Sequence, residues 1–383
     1  MKYSTVKIGL DSLKLSKLGF GCMRFPVANG SVDYTKTKEL IDHAISNGIN
    51  YFDTAYDYHN GNSEIVIGEI LSEYPRDEIY IADKLPLYRC QTLDDCERIF
   101  YEQLSKLGTS YIDFYLIHAL NSDTFTRMKD LGVIPFLRKL KSKGFIKYIG
   151  FSFHDSYMVF HDIINYHKWD FVQIQLNYFD TDFQQGMKGY AELVKKNMPV
   201  FIMEPTKGGR LVSLNKSIKD KMNSISPDKS IASWAFRWFA NLKVSVILSG
   251  MSYMEHLKDN IETFSTFESL NNDEHLLILT IVQELKNSTK VECTYCNYCA
   301  PCPKNVAIAQ NFYIYNQFTM FHNFQWARQQ LSKLNNNNME SSNCVDCGIC
   351  IPRCPQKIQI PKVLEEFEHF KKNIFIGRNK NEV

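Results

Sequence analysis

Between residues 18 and 250 the chain carries eight short apolar, β-branched runs, separated by longer stretches of helical period. The runs are LGFGC (18–22), INYFD (49–53), IYIADK (79–84), IDFYLIH (112–118), KYIGFS (147–152), FVQIQLN (171–177), PVFIME (199–204) and VSVILSG (244–250). Apolar strands alternating with helices are the pattern of a parallel sheet covered on its faces. Segments between them, such as YTKTKELIDHAISNG (34–48), TLDDCERIFYEQLSKLG (92–108) and SPDKSIASWAFRWFAN (226–241), read as amphipathic helices. Eight strand-helix pairs in about 250 residues is the count for an α/β fold closed into a (β/α)8, or TIM, barrel. A doubly wound sheet is the rival, but it would place G-x-G-x-x-G after the first strand, where GFGCMRF offers only Gly19 and Gly21.

Barrel chemistry gathers where the strands end. The polar residues at those ends are Asp53, Lys84, His118, Ser152, Asn177 and Glu204, with Tyr58 in the loop after the second strand. Singly, each has an ordinary structural reading: a turn cap, a solvated strand end, a core histidine satisfied by backbone. Together at one mouth they form a chemical set. A free tyrosine, with a pKa of about 10, is a poor acid near neutrality, and a neighbouring ammonium brings it toward working range. Asp53 would orient Lys84, and His118 would hold a carbonyl by a hydrogen bond. The set suits protonation of a carbonyl oxygen while hydride arrives at carbon.

At these residues the sequence resembles the aldo/keto reductase family. The matching text is FDTAYDY (52–58), DK (83–84), YIDFYLIH (111–118), GFIKYIGFS (144–152), QIQLNYFD (173–180) and GMSYMEHLKDNIE (250–262), covering residues 15 to 265. The resemblance implies a catalytic tetrad of Asp53, Tyr58, Lys84 and His118, with Tyr58 as proton donor. It implies Ser152 and Gln173 as partners of a nicotinamide carboxamide, and a cofactor segment after strand eight with Gly250, Met251, Ser252, His256 and Asn260. It also implies a nicotinamide dinucleotide bound in extended form without a Rossmann motif. Two positions depart from the family. Phe153 and His154 follow Ser152 where Asn is usual. Gly250 and His256 align with the Lys and Arg that NADP-preferring members use for the 2′-phosphate, so a strong NADPH preference is not expected.

Of 11 cysteines, eight crowd into residues 293 to 354. In a reducing cytosol such crowding argues for metal rather than disulfides. CVDCGICIPRCP (344–355) is C-x2-C-x2-C-x3-C-P, the spacing of ferredoxins that hold two clusters, in which the fourth cysteine reaches the other cluster. CTYCNYCAPCP (293–303) shortens the last gap by one residue. Zinc held by four cysteines is the alternative, although zinc ribbons draw their ligands as two pairs from separate knuckles. Two [4Fe-4S] clusters fit the eight thiolates: Cys293, Cys296, Cys299 and Cys354 on one, Cys344, Cys347, Cys350 and Cys302 on the other, with local ligation within each motif as the other pattern. The stretch between the motifs, residues 305 to 334, has apolar and aromatic residues at helical spacing, so a small, mainly helical ferredoxin-like domain is expected.

The expected organisation is a barrel over residues 1–270, a connecting helix over 271–287 and an iron-sulfur domain over 288–383. The 44 Lys and Arg nearly cancel the 42 Asp and Glu, which leaves no basic field for nucleic acid or an anionic membrane. MKYSTVKIGL lacks the apolar stretch of a signal peptide and no run of about 18 apolar residues occurs, so a soluble, cytoplasmic protein is expected. The functional expectation is a nicotinamide-dependent oxidoreductase acting on a small carbonyl or alcohol, with the clusters leading to a one-electron carrier protein. Hydride carries two electrons and a cubane one, so a flavin is the kind of intermediary such a pathway calls for, although no flavin motif is visible. The competing expectation is a barrel enzyme, with or without flavin, whose clusters are structural or redox-sensing and serve partner docking.

Overall fold

The computed structural model describes residues 1–293, 295, 299–354 and 356–372. Eight strands close into a barrel: β1 (Leu18–Gly21), β2 (Tyr51–Asp53), β3 (Tyr80–Leu85), β4 (Ile112–Leu120), β5 (Ile146–Phe153), β6 (Phe171–Gln175), β7 (Val200–Met203) and β8 (Val246–Ser249). Each pairs in parallel with its sequence neighbour, and β8 returns to β1. The helices of the barrel run from α1 (Tyr34–Ser46), α2 (Ser63–Leu71) and α3 (Leu93–Leu107) through α4 (Ser122–Asp130), α5 (Val133–Ser142), α6 (Tyr157–Tyr166) and α7 (Gly186–Lys195). Between β7 and β8 lie α8 (Lys216–Ile225) and α9 (Ile231–Arg237), and α10 (Met254–Thr266) follows β8.

Local chemistry sets the element ends. Helix α3 starts at Thr92, whose hydroxyl accepts from the Asp95 amide while the Asp95 carboxylate accepts from the Thr92 amide, so two end amides are satisfied reciprocally. It stops at Gly108, which takes the left-handed conformation (φ 60°) that closes a helix without a Cβ clash. Strand β6 is buried at every position, as a strand between barrel interior and helices must be.

The barrel interior is filled rather than open. The rings of Tyr51, Phe114, Phe171 and Phe201 meet with centroids 5.0 to 5.4 Å apart. A hairpin that the sequence pattern did not reveal, Tyr3–Ile8 paired with Asp11–Ser16, adds Val6, Ile8 and Leu15 to this cluster. Asp11 accepts a 2.7 Å hydrogen bond from Tyr148 at the same end. One barrel end is thus plugged, and polar chemistry is left to the other.

The chain divides into two compact units: Met1–Gly208 with Asp228–Asn272, and Gly209–Pro227 with the chain from Asp273 onward. In the second, α11 (Asn272–Asn287) is tied to α8 by Ser226 donating to Glu274 (2.7 Å) and by the Lys221–Glu284 pair (2.8 Å). Helices α12 (Ile308–Phe321), α13 (Phe324–Asn336) and α14 (Ile360–Lys371) surround a core that includes Phe312, Phe318, Leu364 and Phe367. The break between α12 and α13 falls at His322, left-handed at φ 50°, and the Asn323 side chain then caps α13 through the Trp326 amide. The buried Arg210 guanidinium donates to Gln317 Oε1 at 2.7 Å and to the Tyr313 hydroxyl at 3.4 Å, and lies 4.7 Å from the Trp326 ring centroid.

Candidate active site and cysteine clusters

Register brings the four expected catalytic residues to one place. Asp53 pairs with Ala82, so Lys84, two residues on, faces the same way; Lys84 pairs with Leu116, and His118 is again two residues on. Lys84 Nζ donates to Asp53 Oδ1 at 2.6 Å and to the Thr54 carbonyl at 2.5 Å, and stands 3.5 Å from the Tyr58 hydroxyl. The ring of Tyr58 meets that of His118 edge-on at 6.1 Å. Tyr58 opens a turn in which His59 and Asn60 are both left-handed, at φ 52° and 56°.

Burial governs the titration of all four. It works to lower the Lys84 pKa, but the Asp53 carboxylate and the Tyr58 phenol outweigh it, and Lys84 is held as ammonium above its ordinary 10.5. Burial pushes Asp53 up from 3.8, opposed by the Lys84 charge. Tyr58 moves up from 10.0, because desolvation exceeds the downward pull of Lys84. The expected lowering of Tyr58 toward neutrality is therefore corrected: the phenol stays protonated and keeps its proton to give. His118 falls to about 3, through burial first and then the Lys84 charge, so its ring is neutral. Its Nδ1 is buried without a hydrogen-bond partner among the described residues.

Two residues of this mouth escaped sequence reasoning. Tyr88 lies with its ring 5.9 Å from that of His118 and its hydroxyl 2.5 Å from Asp57, which also pairs with Arg89 at 2.6 Å. Arg24, just beyond β1, crosses Gly250. The sole available signal was the run CMRFP at a strand end, which has no diagnostic spacing.

Of the expected cofactor contacts, Ser152 and Gln173 are buried cross-strand partners. The Ser152 hydroxyl accepts from the Ala119 amide at 2.8 Å. Gln173 Oε1 has no hydrogen-bond partner among the described residues, while its Nε2 lies 3.8 Å from Met203 Sδ. Ser252 donates to the Arg24 carbonyl at 2.7 Å, and Asn260 donates to Ser249 Oγ at 3.0 Å. His256 is exposed with its ring 5.1 Å from that of Tyr253. Met251 is buried in the barrel's outer core. Asn177 at the end of β6 is committed to structure, bonding Asp180 and the Glu204 carbonyl and accepting from the Phe179 and Asp180 amides. Asp180 also holds the buried Lys207 at 2.5 Å.

In the second unit Cys293, Cys299, Cys302, Cys344, Cys350 and Cys354 are partly buried against the α12–α14 core, and Cys347 is exposed. Cys296 lies outside the described residues. Burial first, and then the neighbouring Cys344, Cys347 and Cys299, push the Cys350 thiol up to about 11, which sets a first-motif cysteine beside the second motif. Among the described residues no helix is long and apolar enough to cross a membrane.

Comparison with known proteins agrees with this architecture. The family model "Aldo/keto reductase family" matches residues 17–280, and "4Fe-4S dicluster domain" matches residues 292–358. A probable aldo-keto reductase 1 of Glycine max is 34% identical over 156 residues, 38% of this chain and 44% of its own. An NADH-specific methylglyoxal reductase of Escherichia coli is 26% identical over 196 residues, 46% of this chain and 59% of its own. The chain thus spans less than two thirds of the length of these two relatives. The aldo-keto reductase AKR11C1 of Bacillus halodurans, in its holo form, superposes with a TM-score of 0.61 at 22% identity, covering 73% of this chain and 96% of that one; that likeness is one of fold. On the match to residues 17–280, the chain belongs to the aldo/keto reductase family, and it carries a 4Fe-4S domain C-terminal to the barrel in sequence.

Proposed function

We propose that the protein is a nicotinamide-dependent oxidoreductase that reduces a small carbonyl compound, or oxidises the corresponding alcohol, at the barrel mouth. The observation that carries this reading is the position of Lys84 Nζ, 2.6 Å from Asp53 and 3.5 Å from the Tyr58 hydroxyl, in a nearly sealed site. Bound reduced nicotinamide supplies the hydride. Gln173 Oε1, next to Ser152 and without a partner among the described residues, is the kind of buried acceptor that a carboxamide NH2 satisfies. Tyr58 donates its proton to the carbonyl oxygen, and the fixed Lys84 charge stabilises the phenolate left behind. His118, neutral at any pH well above 3, orients the oxygen by a hydrogen bond without competing for the proton. The name of the Escherichia coli relative supports NADH and an α-oxoaldehyde as the first pair to try.

The cysteines of the second unit fit two [4Fe-4S] clusters by donor chemistry: soft thiolates in two four-cysteine motifs, on an apolar core. Bound clusters would supply one-electron capacity, for exchange with a carrier protein. The test is anaerobic purification followed by single-turnover mixing of NADH with an aldehyde panel, read at the nicotinamide and cluster absorbances. Carbonyl-dependent NADH oxidation supports the reading; NADH that neither binds nor reacts with any carbonyl overturns it.

A further inference from the structure

The rim of the mouth from β6 through β7 and β8 to β1 is continuous in the barrel order. Gly208 follows β7, Gly250 follows β8 and Arg24 follows β1. A Cβ on Gly250 would lie 2.5 Å from Arg24 Cγ and 2.8 Å from its Cβ, so the arginine stem occupies the space a side chain at 250 would need. Nη2 of the same residue stands 3.7 Å from where a Cβ on Gly208 would be, and Gly208 and Gly209 take φ of 65° and 91°. The Ser252 hydroxyl, bonded to the Arg24 carbonyl, fixes the backbone beneath. Arg24 is exposed, and its guanidinium has no hydrogen bond or ion pair among the described residues. The two cations of the loop after β7 are engaged elsewhere: Lys207 is buried against Asp180, and Arg210 donates to Gln317.

An arginine held by its stem, between two glycine-bearing loops, presents a permanent charge and five donors to whatever crosses the rim. A dinucleotide anchored by its carboxamide at Gln173 and running toward α10 would cross there with its phosphates. We propose that Arg24 is the cation that holds the pyrophosphate of the nicotinamide dinucleotide, and that Gly250 stays side-chain-free to let it do so. The proposal rests on the nicotinamide reading above. Charge-assisted bonds to phosphate are strong and directional, and substituting a neutral group removes both charge and fork.

The experiment titrates the wild type, Arg24→Gln and Gly250→Val of the full chain with NADH and with NADPH, by protein fluorescence quenching, without substrate. Melting curves establish that each variant is folded, as expected for an exposed arginine. Arg24→Gln is expected to weaken NADH and NADPH equally, by roughly 10- to 100-fold, and to flatten the salt dependence of both. Gly250→Val, which keeps the charge but displaces the stem, should weaken both in the same direction. Unchanged NADH affinity in Arg24→Gln overturns the assignment while leaving the nicotinamide reading intact. A loss at least tenfold greater for NADPH than for NADH also overturns it, since the guanidinium would then sit on the 2′-phosphate. A wild type that binds neither nucleotide overturns the nicotinamide reading itself.

Discussion

The ammonium of Lys84 lies 2.6 Å from a carboxylate oxygen of Asp53, with both side chains all but sealed from solvent. A pair in that setting is far worse broken than replaced, because removing one partner leaves a buried charge with no counterion. Asp53→Asn should therefore lower the unfolding free energy by about 3–5 kcal/mol in urea titrations. The apolar double variant Asp53→Leu/Lys84→Met should lose less. A single variant no less stable than the double one would sink the argument.

Tyr58→Phe preserves the ring packed at His118 and deletes the acid. The hydride-transfer rate should fall by roughly 10²- to 10⁴-fold, with nicotinamide affinity unchanged. Because burial holds the phenol above 10.0, the alkaline limb of carbonyl reduction should lie at or above that pH in the wild type. The pH profile checks this: a limb near neutrality would point to a different acid.

His118 gives the site a pH signature in stability. Its folded pKa, about 3, lies below the ordinary 6.5, so below 6.5 the unfolded chain takes a proton that the folded one refuses. The stabilisation is fully present above 6.5 and declines as pH falls toward 3, with a slope of up to about 1.4 kcal/mol per pH unit. Urea midpoints of wild type and His118→Gln at a series of pH values should converge on acidification. Parallel curves would mean that the ring titrates normally.

Anaerobically prepared protein should contain about eight iron and eight sulfide per chain, since the two motifs supply eight thiolates. Zinc at one or two per chain would replace that expectation. Under the crossed arrangement, Cys354→Ala should disturb the cluster held mainly by Cys293, Cys296 and Cys299, a change that low-temperature EPR can separate from damage to the other.

Arg210 makes its contacts far along the chain, at Gln317 and Trp326. Arg210→Ala leaves a buried amide oxygen without its donor and removes a stacked cation, so the second unit should lose about 1–3 kcal/mol. A lower melting temperature of the cluster chromophore, with the barrel's far-UV signal unaltered, is the expected readout.

The barrel was legible because fully buried parallel strands print themselves as unbroken apolar runs, and the meeting of Asp53, Lys84 and His118 because each of them ends one of those runs. Arg24 was not, since its partners Gly208, Gly250 and Ser252 come from loops far away in sequence, Ser252 by 228 residues. The upward net shift of Tyr58 was equally hidden: adjacency to Lys84 can be read from a motif, but the depth of burial that outweighs it cannot. In the tail the helical spacing was visible while the left-handed His322 that splits it was not, because histidine carries no turn signal comparable to glycine.

Helix α8 sits in sequence between β7 and β8, yet its segment, Gly209–Pro227, belongs to the same compact unit as the cysteine motifs. The cysteine-bearing unit is therefore not a cassette that can be cut off at residue 272 and moved to another barrel. A chain ending there would strand Ser226 and Lys221 without Glu274 and Glu284, and the excised tail would lack Arg210. Removing the tail from this chain would require rebuilding the loop after strand seven as well.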